Sequence, residues 1–404
     1  MNNEKKIVLF TSVAHFYTHF FELIFPALAI PLTLSLHMSL AEVLPISFLM
    51  YLLFGLGALP WGILADRFGN KRSLVIFFVG AGIGSIITSF STTATALFFA
   101  LAIIGFFSSI YHPAGLGLLS RGVRDRGRAM GINGAAGSAG IAMAPLMAGF
   151  FNWIIGWRMI YLLAGIVSLL LGLLMAITRI DETPIHTQDV STEAAKSRVH
   201  IKTLLALSFV LIMSGIAYRM NTVILPAYLE FKAPFLWNWF LGLNFTQMAS
   251  TATLAATILA TLIYIVGIFG QYFGGWISDK YKLSHVYIVF VLLGLPFLLA
   301  MAFLTDLALV LASSFYIFFA LGMQPVENSL VAKLTPSQFR STGYGIKFCL
   351  TFGVGALAVY LAGWIKGIWN LEMIYVFSAL VIALMALGIF YLIRHTRNQE
   401  TGTP

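Results

Sequence analysis

The residues that could carry chemistry are concentrated in one apolar stretch near the N-terminus. His15, His19 and Glu22 interrupt this stretch, and their spacing places them on one face of a helix. Ionisable groups in an apolar span are costly to bury, so they mark a candidate functional site. Two chemistries fit: binding of a transition metal, with His112 as a further ligand, or loading and release of protons. A third interpretation is structural, with the histidines hydrogen-bonded to neighbouring helices.

The composition indicates that most of the surface faces lipid. Of the 404 residues, 59% are hydrophobic and 10% are charged, whereas soluble domains have about 25% charged residues. The net charge is +9, but the basic residues lie in short clusters between apolar runs, so no nucleic acid is expected as a partner. The single cysteine, Cys349, excludes an intrachain disulfide and any multi-cysteine metal site.

Twelve apolar segments are long enough to span a membrane as helices. They are residues 7–34, 43–64, 73–91, 95–119, 129–151, 157–178, 203–229, 252–275, 285–304, 308–331, 343–365 and 371–393. The one long polar connection separates two groups of six segments. The predicted division is therefore an N-terminal bundle (1–178), a cytoplasmic linker (179–202), a C-terminal bundle (203–394) and a cytoplasmic tail (395–404).

The basic residues predict the orientation in the membrane. Nineteen lysines and arginines fall on the side of the N-terminus, and three, Arg158, Lys232 and Lys366, fall on the other. This asymmetry predicts that both termini are cytoplasmic. Arg219 and Lys347 are the two basic residues within spans.

The two groups of six segments repeat each other. The stretch from Gly62 to Phe68 returns as residues 275–281, 213 residues later, and His112-Pro113 returns as Gln324-Pro325, 212 residues later. In the first span of each group, Pro26 corresponds to Pro226. Agreement at several positions indicates an internal repeat of the kind found in transporters.

One loop and one span carry a more specific resemblance. The stretch Gly62-Ile-Leu-Ala-Asp-Arg-Phe-Gly-Asn-Lys-Arg72 resembles the signature between spans 2 and 3 of the major facilitator superfamily. In the fifth span, Gly140, Ala144, Pro145 and Gly149 resemble that superfamily's antiporter signature, with alanine in place of glycine at Ala144. The nearest branch is that of drug–proton antiporters and fosmidomycin-resistance-like exporters. The arginine that many such antiporters carry in span 4 is absent.

The resemblance implies an all-α membrane protein of twelve transmembrane helices in two pseudo-symmetric six-helix bundles. It implies a monomeric, multi-pass protein of the bacterial cytoplasmic membrane that is not an enzyme and works by alternating access. A cytoplasmic gate is expected in which Asp66 faces Arg128 and Asp279 pairs with Arg340. The gate candidates are Gly62, Asp66, Arg67, Gly69, Arg72, Arg128, Gly275, Asp279 and Arg340.

In the superfamily, spans 1, 4, 7 and 10 line a central cavity, and each carries a proline here. A proline lacks the N–H group and frees a carbonyl one turn earlier, as Pro26 does for Glu22. The repeat places Arg219 across the cavity from His19, so Arg219 is expected to pair with Glu22. The candidates for proton coupling are Glu22, His19, His15, His112, Arg219, Asn221, Gln324, Glu327 and Lys347, and the candidate substrate contacts are Tyr17, Tyr111, Tyr218 and Asn328.

The expected function is proton-coupled export of a small organic molecule across the lipid bilayer. Protonation of Glu22 would bias the equilibrium between the inward- and outward-open states. Arg219 and the histidines favour an anionic or zwitterionic amphiphile, and no cofactor besides the coupling proton is expected. Two alternatives stay open: a metal or metal-chelate transporter that uses His15, His19 and His112, and a membrane receptor that transports nothing.

Overall fold

The computed structural model describes residues 2–183, 201–243, 248–334 and 340–401. Every regular element within these ranges is a helix, as the long apolar segments predicted. Most of the predicted linker, residues 184–200, lies outside the described residues, and so do the last three residues of the chain.

The N-terminal half contains ten helices in the described residues. They are α1 (Asn3–Ala27), α2 (Ala29–Leu36), α3 (Leu40–Val43), α4 (Phe48–Leu56), α5 (Ala58–Phe68), α6 (Asn70–Ser89), α7 (Ala94–Ser108), α8 (Tyr111–Gly122), α9 (Arg126–Ile154) and α10 (Arg158–Ile177).

The C-terminal half contains eight helices in the described residues. They are α11 (Ile201–Lys232), α12 (Phe235–Gly242), α13 (Met248–Ser278), α14 (Leu283–Ala300), α15 (Asp306–Leu334), α16 (Arg340–Phe348), α17 (Leu357–Ile368) and α18 (Glu372–Thr401).

Eleven helical spans of the described residues are long and apolar enough to cross a membrane. Two of them, Ala94–Gly122 and Tyr344–Ile368, each combine consecutive helices from the lists above. A twelfth is reached if Ala29–Leu36 and Leu40–Leu56, which meet at a bend of 104°, are counted as one span. These numbers confirm the all-α, multi-pass architecture. The last helix, α18, continues through most of the predicted tail to Thr401. No glycine or proline precedes Gly402 in that tail, so nothing in the sequence ends the helix earlier.

The internal repeat reappears as equivalent packing in the two halves. A Cβ atom on Gly62 would lie 3.3 Å from the Cβ of Pro113, and one on Gly275 would lie 4.0 Å from the Cβ of Pro325. In each half, therefore, a glycine in the second span packs against the proline that interrupts the fourth. This matches the pseudo-symmetry predicted from the sequence.

Small residues allow α9 of the first half to lie close to α13 of the second. Ala144 is fully buried, and a Cβ on Gly149 would overlap the hydroxyl of Thr257. Thr261 Oγ1 donates a hydrogen bond of 2.9 Å to the carbonyl oxygen of Ala142. The antiporter-like motif, which also includes Gly140 and Pro145, thus lies on a helix that closes this seam between the halves.

A second close approach joins α4 to the segment between α16 and α17. This segment contains a wide π-helical turn at Cys349–Gly353, followed by a 3₁₀ turn at Val354–Ala356. Cys349 Sγ donates to the carbonyl oxygen of Gly55 over 3.4 Å. Gly55 and Gly353 face each other with no space for a side chain. Wide turns of this kind are frequent at functional sites.

The contact between Gly55 and Gly353 gives a stability prediction. In Gly55→Ala the new methyl group would overlap the backbone of Gly353, and overpacking of this kind costs about 1–3 kcal/mol. We expect a lower melting temperature for the purified variant in detergent, measured by tryptophan fluorescence. Gly134→Ala is the matched control, since nothing lies within 4 Å of a Cβ there. Equal melting temperatures for the two variants would show that the halves do not meet at Gly55.

Candidate functional site

A buried ion pair joins the two halves at the centre of the molecule. Arg219 Nη2, on α11, lies 2.7 Å from Glu22 Oε1, on α1. Arg219 is 0% exposed and Glu22 is 3% exposed. The structure therefore brings together the two charges that the repeat placed on opposite sides of the cavity. In a low-dielectric interior, removal of one partner leaves a costly unpaired charge.

Tyr51 on α4 holds both members of this pair, and the sequence analysis did not single it out. Pro26 removes the helical partner of the Glu22 carbonyl, and the Tyr51 hydroxyl donates to that carbonyl at 3.0 Å. The same ring lies under the guanidinium, with Arg219 Cζ 3.6 Å from the ring centroid. A cation over an aromatic face is stabilised by the ring quadrupole. Tyr51 is completely buried, so it fixes the geometry of the pair from a third span.

His19 contacts the other oxygen of the same carboxylate. Its Nδ1 atom lies 2.7 Å from Glu22 Oε2. The rings of His15, His19 and His112 form a triangle with centroid separations of 5.0, 5.7 and 5.6 Å. His15 Nδ1 lies 2.8 Å from the carbonyl oxygen of Asn133. The three histidines are thus neighbours, and His19 is the one in contact with the ion pair.

The alternative metal site bears on how the three histidines are arranged. Among the described residues, no three histidine, cysteine, aspartate or glutamate side chains are arranged to hold a metal ion. His15 and His19 turn their Nδ1 atoms toward Asn133 and Glu22, and the His112 ring stacks on Phe348 at 4.4 Å. The metal alternative, which uses His15, His19, Glu22 and His112, is therefore not assembled in this conformation, and it stays an alternative.

The guanidinium of Arg219 has unused donors. Nη2 lies 2.7 Å from Glu22 Oε1, whereas Nε and Nη1 have no hydrogen-bond partner among the described residues. Guanidinium groups present five N–H donors in a planar fork that matches carboxylates. A buried guanidinium with free donors is suited to bind an anion.

Little empty space remains beside the pair. A void of about 10 Å³ adjoins Glu22, enough for about one water molecule. Thr18 and Ser108 line it, and their hydroxyl groups have no hydrogen-bond partner in the described part of the chain. A larger ligand could reach Arg219 only after the halves had moved apart.

A second buried carboxylate lies wholly within the C-terminal half. Glu327 Oε1 is 3.0 Å from Lys347 Nζ, and Glu327 Oε2 accepts hydrogen bonds of 2.9 Å from Ser214 and from Tyr287. Lys347 also donates to Asn328. The expected pairing of Glu327 with Lys347 is present, and both groups have their partners within one half.

The remaining cavity candidates differ in what they contact. Tyr111 donates to Asn133 Oδ1 at 2.7 Å, and Gln324 accepts from Gln271 at 3.0 Å. Tyr17 packs against Phe78 in the N-terminal half. Tyr218 lies close to the ion pair, with its ring centroid 5.7 Å from Arg219 Cζ. Asn221 is buried, and its Oδ1 atom has no hydrogen-bond partner among the described residues.

The predicted gate pairing differs from the one observed. Asp66 Oδ1 lies 2.8 Å from Arg121 Nη2, so its partner in this structure is Arg121 and not Arg128. Both residues belong to the N-terminal half and are largely exposed, and exposed pairs contribute little, about 0–1 kcal/mol. The side chain of Arg340 lies outside the described residues, so its pairing with Asp279 stays a prediction.

Comparison with known proteins identifies the family. A family model described as Major Facilitator Superfamily matches residues 9–258 and 207–404. The chain belongs to the Major Facilitator Superfamily. It is therefore a multi-pass membrane protein of a transporter superfamily, with the lipid bilayer and a small-molecule substrate as its expected partners.

Several members of the superfamily are similar over part or most of their length. The 4-hydroxybenzoate transporter PcaK of Pseudomonas putida is 26% identical over 378 residues, which cover 82% of this chain and 80% of that protein. The tetracenomycin C resistance and export protein of Streptomyces glaucescens is 27% identical over 147 residues, 35% of this chain and 27% of that protein. A solved structure of a bacterial homolog of the human lysosomal transporter Spinster has a TM-score of 0.79 at 14% identity and covers 98% of both chains.

The ion pair gives a prediction on stability. Glu22→Gln and Arg219→Met each leave one buried charge without its partner, which typically costs about 3–5 kcal/mol. We expect both single variants to melt well below the wild-type protein in detergent. The double variant Glu22→Gln/Arg219→Met should regain much of the loss, since neither charge remains. Additive losses in the double variant would show that the two charges do not interact.

Proposed function

We propose that this protein is a proton-coupled secondary transporter of small organic anions, which bind at Arg219. The observation that carries the proposal is the buried guanidinium with free donors, held between the two halves and opposed by one carboxylate. The first spans of the two halves supply the two charges, so relative motion of the halves acts directly on the pair.

Proton coupling would follow from competition between Glu22 and an anionic substrate for the positive charge of Arg219. While Glu22 is ionised, it neutralises Arg219, and a second anion at the same place would be repelled. When Glu22 takes up a proton, Arg219 is left as an unpaired cation in an apolar interior. An anionic substrate then restores neutrality. The proton and the anion therefore favour each other's binding, and linkage requires this effect to be reciprocal.

This linkage bears on the direction of transport. Joint binding of a proton and an anion gives cotransport, in which an inward proton gradient drives uptake. Export by exchange requires the opposite linkage, with substrate and proton excluding each other. The geometry favours cotransport, and the export predicted from the sequence stays a prediction. The partial match to a resistance and export protein agrees with export, whereas the longer match to a 4-hydroxybenzoate transporter agrees with an anionic substrate.

His19 has a defined place in this scheme. Its Nδ1 atom contacts the carboxylate that must be protonated, and histidine exchanges protons near neutral pH. The rings of His15 and His112 complete the triangle of histidines of which His19 is a member. We infer that protons reach Glu22 through His19.

The proposal is tested in proteoliposomes with an imposed pH gradient. A panel of carboxylates and phosphates that includes 4-hydroxybenzoate is screened for uptake, and a pH-sensitive dye trapped in the vesicles reports proton movement. In the wild-type protein, anion affinity should rise as the pH falls, because protonation of Glu22 frees Arg219. Glu22→Gln, which stays neutral, should bind anions independently of pH and move no protons.

Glu42→Gln is the matched control, since Glu42 is exposed and its carboxylate accepts hydrogen bonds from Ser39. It should behave as the wild type. Full pH-driven transport by Glu22→Gln would overturn the coupling role of Glu22. Transport of Zn²⁺ or Fe²⁺ that depends on His15, His19 and His112 would support the metal alternative instead.

A further inference from the structure

Three aromatic rings beside the ion pair are stacked nearly in parallel. The His112 ring lies 4.4 Å from the Phe348 ring with 16° between the planes, and Phe348 lies 5.6 Å from Phe352 with 9° between the planes. His112 also stacks on Phe352 at 6.0 Å and 21°. We call this set of rings the aromatic stack.

The aromatic stack crosses the boundary between the halves. His112 belongs to α8 of the N-terminal half, whereas Phe348 ends α16 and Phe352 lies in the wide turn that follows it. The two phenylalanines are four residues apart and so project on one side of the helix. Separation of the halves would part the ring of His112 from that of Phe348 and leave a slot between two flat faces.

A ring held in this slot would lie close to Arg219. Arg219 Cζ is 6.0 Å from the centroid of the Phe352 ring, and on the other side the His112 ring is 5.6 Å from the ring of His19, which contacts Glu22. A carboxylate attached directly to a ring between His112 and Phe348 could therefore reach the guanidinium. In this structure the His112 ring covers the face of the Phe348 ring. After the halves separate, a substrate ring would stack on that face instead.

The charges around the slot limit the charge of the ligand. Glu22 contacts His19 and Arg219, and Arg219 is the only arginine or lysine in contact with it among the described residues. With His19 neutral, Arg219 is the one positive charge beside Glu22. Protonated Glu22 leaves a single positive charge, which one carboxylate neutralises. Lys347 is already engaged by Glu327 and Asn328, so a dianion such as a phosphate monoester would keep an unpaired charge in an apolar site.

We propose that the slot between His112 and Phe348 binds the flat ring of an aromatic monocarboxylate whose carboxylate pairs with Arg219. This inference rests on the proposed function, because it assumes that anions bind at Arg219. Offset stacking of rings favours an aromatic ligand over an alicyclic one of the same charge and size, by a factor of roughly 2 to 12 in affinity.

The test compares benzoate with cyclohexanecarboxylate, which carries the same charge on a non-aromatic ring. Binding to the purified protein in detergent is measured by isothermal titration calorimetry at a pH below 6. The wild-type protein should bind benzoate several-fold more tightly. Phe348→Leu should remove this preference while it keeps the affinity for cyclohexanecarboxylate. Phe99→Leu is the matched control, since Phe99 is 58% exposed on the outer surface, and it should keep the preference.

A second measurement needs no substitution. Cys349, the single cysteine of the chain, directly follows Phe348. Cys349 lies against Gly55 across the boundary between the halves. Benzoate bound in the slot should therefore change the rate at which a maleimide alkylates Cys349, and cyclohexanecarboxylate at the same concentration should change it less. This readout applies to the wild-type protein and so holds even if Phe348→Leu fails to fold.

The outcomes separate the two proposals. If neither acid binds, or if Arg219→Met binds both as the wild type does, the proposed anion site is wrong. If both acids bind equally and depend on Arg219, the anion site stands and the aromatic slot is overturned. A preference for benzoate that survives in Phe348→Leu would also overturn the slot. So would a rate of Cys349 alkylation that benzoate changes no more than cyclohexanecarboxylate does.

Discussion

The ion pair between Glu22 and Arg219 is the constraint on which the rest of the structure depends. Both groups are buried, and each comes from the first span of its own half. Desolvation makes either charge alone unfavourable. With the halves in contact, two states are therefore favourable: one in which both charges are present and paired, and one in which each charge is neutralised by another partner. Binding of a proton and an anion together is one way to reach the second state. The chemistry of the site and the motion of the halves are therefore governed by the same pair of charges.

Several features of the chain position this pair. Pro26 frees the carbonyl of Glu22, and Tyr51 uses that carbonyl to bring its ring under Arg219. The close approach of Gly55 and Gly353 lets α4, which carries Tyr51, lie against the wide turn that carries Phe352. The packing of small residues in this region thus sets the distance between the halves at the site.

Much of the fold and part of the site could be predicted from the sequence. The length of each apolar segment, which matches the thickness of a bilayer, predicted the helices. The repeat predicted that Glu22 pairs with Arg219, since equivalent spans face each other across a pseudo-symmetry axis. Contacts between non-equivalent spans could not be predicted. Tyr51 and the stack of His112 on Phe348 depend on how two distant spans are rotated, and apolar spans have little periodicity that would fix their rotation.

Two contacts differ from those that the sequence suggested, and the differences have the same origin. The spacing of His15 and His19 on one helix suggested a metal site, but their hydrogen-bonding atoms turn toward Asn133 and Glu22. Asp66 was expected opposite Arg128 because the repeat showed an equivalent pair, yet Arg121 lies within reach on α8. In both cases the residue types were identified and the partner was not, because the partner depends on the position of a neighbouring helix.

The two buried carboxylates show why only one is suited to coupling. Glu327 has its cation and both of its hydroxyl donors within one half, so movement of the halves leaves its surroundings unchanged. Glu22 has its cation in the other half. A group can drive a conformational change only if its free energy differs between the two conformations. Separation of the halves removes the partner of Glu22 and keeps the partners of Glu327, so the proton that is linked to motion belongs on Glu22.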